Sequence, residues 1–193
     1  MHSFKFFSVA LALVMLASAS ELHAADTYKV DPVHSFMLFH VRHFNVGNVY
    51  GRFNEPTGTI IYDAADVTRS TFEVEAKVDN VDTGNEKRDE HLKNADFFNA
   101  SQFPTLTFKS TKVEKGAKEG ELKITGDLTI HDVTKSITVS AAKLGEGKDP
   151  QGAERIGFET KFTIKRSEFD MDFMNGPIGD DVHITVALEG VKQ

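Results

Sequence analysis

The chain contains no cysteine and no tryptophan. Without cysteine it has no disulfide, no thiolate metal site, no thiol redox chemistry and no lipid attached through a thiol. Stability must come from a packed core, and 193 residues are enough for one such domain. A basic run is missing too: 22 Lys and Arg stand against 29 Asp and Glu, a formal net charge of −7. That balance is poor for holding a phosphate backbone, so nucleic acid is not an expected partner. The charge serves solubility instead. There is no Gly-x-Ser-x-Gly elbow and no phosphate-cradling glycine loop. No nucleophile motif is offered on this basis, and no cofactor is expected. Internal repeats and low-complexity stretches are also absent, so residues 25–193 read as one domain.

Long apolar runs are nearly absent, with one exception at the start, MHSFKFFSVALALVMLASASELHA. Lys5 supplies a positive leading region, and Phe6 to Ala19 is an apolar run too short to span a bilayer comfortably. Small residues follow, with Ala19 or Ala24 suited to cleavage. Residues 1–24 are therefore expected to be a secretory signal peptide, and the mature protein to be periplasmic. No later stretch is long and apolar enough for a transmembrane helix, so no stable membrane insertion is expected.

What remains is period-two alternation, which sends successive side chains to opposite faces of a strand. In 121-ELKITGDLTI-130, Leu122, Ile124, Leu128 and Ile130 oppose Glu121, Lys123, Thr125, Asp127 and Thr129. In 71-TFEVEAKVDN-80, Phe72, Val74, Ala76 and Val78 share a face. So do Ile156, Phe158, Phe162 and Ile164, and likewise Val182, Ile184, Val186 and Leu188. Weaker strands are expected at about 28–43, 48–63, 104–114 and 135–144, giving about eight in all. The short turns between them suit antiparallel neighbours. One segment breaks the pattern: 83-TGNEKRDEHLKNADFFNA-100 is rich in helix formers, with Thr83 or Asn85 as cap. A helix of about three turns is expected between the third and fourth strands, with Leu92, Ala95 and Phe97 or Phe98 facing the sheet. One-sided strands need a partner for their apolar face, either a second sheet or closure on themselves. A closed eight-stranded barrel is just wide enough to be filled or to hold one small ligand.

The histidines do not gather. His40 and His43 lie three apart in 40-HVRHFNVGNVYGRF-53, which puts them on opposite faces if the segment is extended. Zinc needs three or four convergent ligands, so no metal site is expected. Which face of this first strand turns inward stays open on alternation alone. Phe36, Leu38, His40 and Arg42 form one set; Ser35, Met37, Phe39, Val41 and His43 form the other.

The ordered segments 31-DPVHS-35, 39-FHVRH-43, 82-DTGNEKRDEHLKNADFF-98, 103-FPTLTFKST-111, 125-TGDLTI-130, 149-DPQGAERIGFE-159 and 189-EGV-191 resemble the YceI family of bacterial periplasmic lipid-binding proteins. The likeness covers essentially the whole mature chain. It implies an all-β fold, an eight-stranded antiparallel lipocalin-like barrel with a helix beside it, enclosing a polyisoprenoid or fatty-acid-like lipid. It also favours the set with Ser35, Phe39 and His43 facing in. Two positions depart from the commoner family pattern: Asp132 and Asp170 stand where glycine or asparagine is frequent. Aspartate tolerates left-handed backbone better than most residues.

On periodicity alone, the inner side chains read as ordinary packed core. The resemblance makes them the wall of a lipid cavity: Met37, Phe39, Val41 and His43 from the first strand, Phe72 and Val74 from the third, and Phe98 after the helix. Phe108, Leu128 and Ile130 follow, then Phe158, Phe162, Ile164 and Val186. Phe169, Met171 and Phe173, in 169-FDMDFMNGPIGDD-181, make either a gate or a sealing lid. Arg42, Arg88 and His91 are candidates for a lipid head group, because arginine offers a fork to carboxylate or phosphate. The expected function is non-catalytic binding, transport or storage of a long apolar lipid, in a monomer or a homodimer. Two other readings stay open. One is an enzyme acting on a lipid head group, with His43 or His91 as base. The other is a filled barrel serving as a stress or interaction protein.

Overall fold

The computed structural model describes residues 25–193; the expected signal peptide lies outside the described residues. In chain order the strands are β1 (Asp26–Val30), β2 (Phe36–His43), β3 (Gly47–Phe53), β4 (Thr57–Tyr62), β5 (Thr71–Lys77) and β6 (Val81–Asp82). Helix α1 (Glu86–Lys93) follows, then β7 (Thr105–Lys115), β8 (Glu121–Ile130), β9 (Val133–Lys148), β10 (Glu154–Lys165) and β11 (Ile178–Lys192). Hydrogen-bonded neighbours run β1-β4-β5-β7-β8-β9-β10-β11, and β1 also pairs with β11, which closes the ring.

The other three strands prolong staves already in the ring. β1 and β2 lie end to end along one edge of β11, with Val30 opposite Gly190 and Phe36 opposite Ala187. β3 and β4 run back along them, with Phe53 opposite Met37 and Thr59 opposite Lys29. β5 passes into β6 through a short 3₁₀ turn, Val78–Asn80, and β6 pairs with β3. The fold is thus a closed eight-staved antiparallel barrel in which chain order is spatial order. Closure leaves the ring itself no free edge.

Alternation places the core. On β8, Leu122, Ile124, Leu128 and Ile130 are buried, while Lys123, Asp127 and the rest of the polar set face out or lie at the surface. Phe36 and Leu38 are exposed, so the Met37, Phe39 and Val41 face of β2 turns inward. His131 and Asp132 join β8 to β9 with positive φ at both (52° and 62°), the left-handed pair of a tight hairpin. Asp170 is left-handed too, at 56°. β9 reaches Lys148, past the expected end of that strand at about 144.

Helix α1 starts where expected: the Asn85 side chain accepts from the Arg88 N–H at 3.1 Å. It is shorter than expected, eight residues or about two turns. Asn94 is extended, and the chain folds back through bonds such as Phe98 N–H to Leu92 O at 3.0 Å. Ala95 is consequently exposed, while Leu92, Phe97 and Phe98 pack on the barrel.

Candidate functional site

The two ends of the barrel differ. At one end Tyr28, Val30, Ile60, Ile156 and Leu188 pack into a closed core. Above it Arg155 gathers three carboxylates: Nη1 donates to Asp31 at 2.8 Å and Glu189 at 2.6 Å, and Nε donates to Asp149 at 2.9 Å. Asp31 is held well below the usual carboxylate range by hydrogen bonds from His34 and Arg155. Asp31, His34 and Glu189 lie close enough to share an ion. The Arg155 guanidinium already supplies the positive charge that links two of them.

At the other end the interior is hollow. A cavity of about 400 Å³ runs down the axis, a volume typical of small-ligand pockets. Its wall comes from the inward positions of nearly every stave: Met37, Phe39 and Val41 of β2, Phe72 and Val74 of β5, and Phe108 of β7. Leu128 and Ile130 of β8, Phe158, Phe162 and Ile164 of β10, and Val186 of β11 continue it, with Phe98 beyond α1. Several of these residues face inward and yet are only half-buried, Phe39, Phe108, Phe162 and Val186 among them. Open space at the axis accounts for both properties. Glycine helps to keep that space clear: a Cβ at Gly51 would lie 2.4 Å from Phe39 Cζ, so that ring lies flat against the wall.

The mouth of the cavity is framed by α1, the β2–β3 turn and the segment before β11. His43, Arg88, His91, Met171, Met174 and Ile178 line it. Arg88 is fixed by Thr83, with Nε donating to the hydroxyl at 2.7 Å and Nη2 to the carbonyl at 2.8 Å. His91 Nε2 lies 2.8 Å from Asp96 Oδ2. The Thr83 hydroxyl donates to Asp89 Oδ1 at 2.5 Å and is thereby fully engaged.

Three expected site residues lie elsewhere. Phe169 closes a 3₁₀ turn, Arg166–Phe169, and that turn rotates its ring out of the β10 alternation into the packed core. Phe173 stands on the outside, edge-on to His91 and Phe97 with centroids 5.7 and 5.4 Å away. Arg42 alternates to the outer face, beside Gly179. His40 is also on that face, stacked on His183 at 4.6 Å, away from His43.

Sequence reasoning missed part of the wall, Phe53, Leu106, Ile137, Val139 and Met174 among it, and it also missed a buried arginine. Arg166 lines the cavity and is 4% exposed. It donates to four carbonyls, of Met171 (2.6 Å), Phe173 (2.9 Å), Gly179 (3.0 Å) and Ile178 (3.1 Å). Burial pulls its pKa below the ordinary guanidinium value. It ties together the segment that borders the mouth. A single Arg after Lys165 resembles any surface cation, so nothing in the sequence marked it.

The YceI-like domain model matches residues 28–190. A UPF0312 protein of Ectopseudomonas mendocina (strain ymp) is 40% identical over 189 residues, spanning 95% of this chain and 98% of that protein. Among solved structures, Burkholderia cenocepacia BcnA superposes with a TM-score of 0.75 at 23% identity, over 83% of this chain and 98% of that one. A domain of Saccharophagus degradans, described as polyisoprenoid-binding, gives 0.67 at 16% identity, over 86% and 98%. At those identities the two structures establish a shared barrel fold.

Proposed function

The chain belongs to the YceI-like family, and on that premise we propose that it binds a long apolar lipid in the barrel, without catalysis, and carries or stores it in the periplasm. The observation that carries this reading is the apolar cavity, closed at one end and open at the other. Each methylene moved from water to such a wall contributes about 0.8 kcal/mol, so affinity grows with chain length. Polyisoprenoids are the favoured class, in keeping with the family resemblance. A polar lipid end would rest at the mouth, among Arg88, His91 and His43. The hollow disfavours a filled barrel.

The test is native mass spectrometry of protein purified from its own periplasm, followed by lipid extraction. A stoichiometric long-chain lipid, released unchanged, is expected. Protein that leaves its native compartment empty, and does not take up polyprenol or long-chain fatty acid after delipidation, would overturn the reading.

A further inference from the structure

The mouth carries an exposed apolar collar. Phe44 and Val46, in the β2–β3 turn, are 55% and 83% exposed. Phe173 and Met174, in the segment before β11, are exposed as well. The two turns are tied together, since the Phe44 N–H donates to Pro177 O at 2.7 Å. Both adjoin the opening: Phe44 packs edge-on against the cavity-lining His43 at 4.4 Å, and Met174 itself lines the cavity.

These side chains are held outward at a cost. Phe44 (φ 47°) and Met174 (φ 50°) are left-handed, a conformation that bulky residues rarely adopt. Burial offsets only part of that strain, because each side chain is about half exposed. Strain of this kind points to a use beyond packing. The opposite end is charged instead, with Lys192 bridging Asp26 and Glu154. One end of the barrel is therefore apolar and open, and the other ionic and shut.

We propose that this collar docks on the surface of a lipid bilayer, placing the mouth against the acyl region. The proposal rests on the lipid-binding reading above. A lipid with a long apolar chain cannot cross water cheaply. A cavity that opens through a greasy rim receives it directly when the rim is pressed into a leaflet. Continuity between rim and cavity favours a bilayer over a protein partner. At a net charge of −7, adsorption to anionic lipid by charge is unfavourable, so docking works by shallow apolar insertion and should be insensitive to salt.

The absence of tryptophan makes the test direct. Val46→Trp places a single indole on the collar, and Leu144→Trp places one at another exposed site, on β9. Vesicles of phosphatidylethanolamine and phosphatidylglycerol should shift the emission of Val46→Trp to the blue, at both low and high salt, and leave Leu144→Trp unchanged. Phe44→Asn combined with Val46→Ser puts a residue suited to left-handed backbone at 44 and removes the apolar tip. Its partitioning to the same vesicles should fall about tenfold or more, while lipid loaded from detergent is retained. No shift at position 46, or equal shifts at both sites, overturns docking and leaves the carrier reading intact. A shift that depends on protein concentration without vesicles identifies a second copy as the occupant and also overturns it. Failure to hold lipid loaded from detergent, in the unmodified protein, refutes the carrier reading itself.

Discussion

Replacing Gly51 with alanine tests whether the bore is kept open by ring placement. The added Cβ would lie 2.4 Å from Phe39 Cζ, 2.9 Å from Phe39 Cε1 and 2.8 Å from Thr83 Cγ2. Carbon atoms rest about 3.5–4.0 Å apart, so the ring must retreat by about 1 Å or more. The wall is behind it, so it retreats into the bore. Overpacking of this kind costs about 1–3 kcal/mol. Loss of a glycine from a strand returns about 0.5–1 kcal/mol. The protein should therefore fold, with stability reduced by at most about 2.5 kcal/mol. Binding should suffer more selectively. Losing contact with one or two methylenes, at about 0.8 kcal/mol each, weakens affinity about 4- to 15-fold. The assay is titration of delipidated protein with a fluorescent long-chain lipid, alongside urea denaturation. Phe39→Leu shortens the displaced group, so Gly51→Ala with Phe39→Leu should regain most of the affinity, a coupling that a double-mutant cycle measures. Unchanged binding by a well-folded Gly51→Ala, or a double variant no better than the single one, would refute the reasoning.

Phe158 is 3% exposed and meets Phe72 and Tyr62 edge-on at 5.1 and 5.6 Å. Phe158→Ala should lose about 3–5 kcal/mol, read from the urea midpoint at unchanged slope. Arg166→Met strips donors from four carbonyls; each one left buried and unpaired costs about 1–3 kcal/mol. Amide exchange over 171–179 should accelerate far more than exchange in β8, and equal acceleration everywhere would show global loosening instead. Asp31 is lowered by its bonds from His34 and Arg155. A carboxyl whose folded pKa lies below its unfolded value of about 3.9 adds stability that is complete above that value and disappears as pH falls through the folded one. The Asp31 contribution should thus be level from neutral pH to about pH 5 and fall below it. Asp31→Asn should flatten that fall, and parallel curves for the two proteins would count against the closed-end network.

The staves were legible because alternation is a direct consequence of strand geometry. Where both faces carried apolar groups, as on β2, alternation was silent and the family resemblance decided the face. Interruptions were illegible: residues 31–35, 54–56 and 78–80 break three staves without leaving a distinct pattern. The same limit misplaced Phe169 and Phe173. They were read with Met171 as a gate or lid, whereas the chain turns as a 3₁₀ helix after Lys165, which buries Phe169, and then loops, which leaves Phe173 outside. Arg166 was hidden for a related reason. Its partners are backbone carbonyls, which every sequence has, and only the path of the segment brings four of them to one guanidinium.

Alternation also says nothing about whether a barrel is hollow, since the same inward residues can meet at the axis or lie along the wall. Ring placement decides it, and glycine decides ring placement. At Gly51 the Phe39 ring occupies the space a side chain would take. Across the barrel Gly126, on the inward face of β8, does the same for Phe108: a Cβ there would lie 2.5 Å from Phe108 Cζ and 2.6 Å from Lys109 O. The register between β7 and β8 shifts beside it, between Ser110 and Lys112, which bends the stave at that point. Gly51 lies within 40-HVRHFNVGNVYGRF-53 and Gly126 within 121-ELKITGDLTI-130, yet neither signalled a bore, because a strand glycine usually marks a weak point or a bend. With larger residues at both positions the two rings would be driven toward the axis. The alternation would be unchanged, and it would then describe a filled barrel.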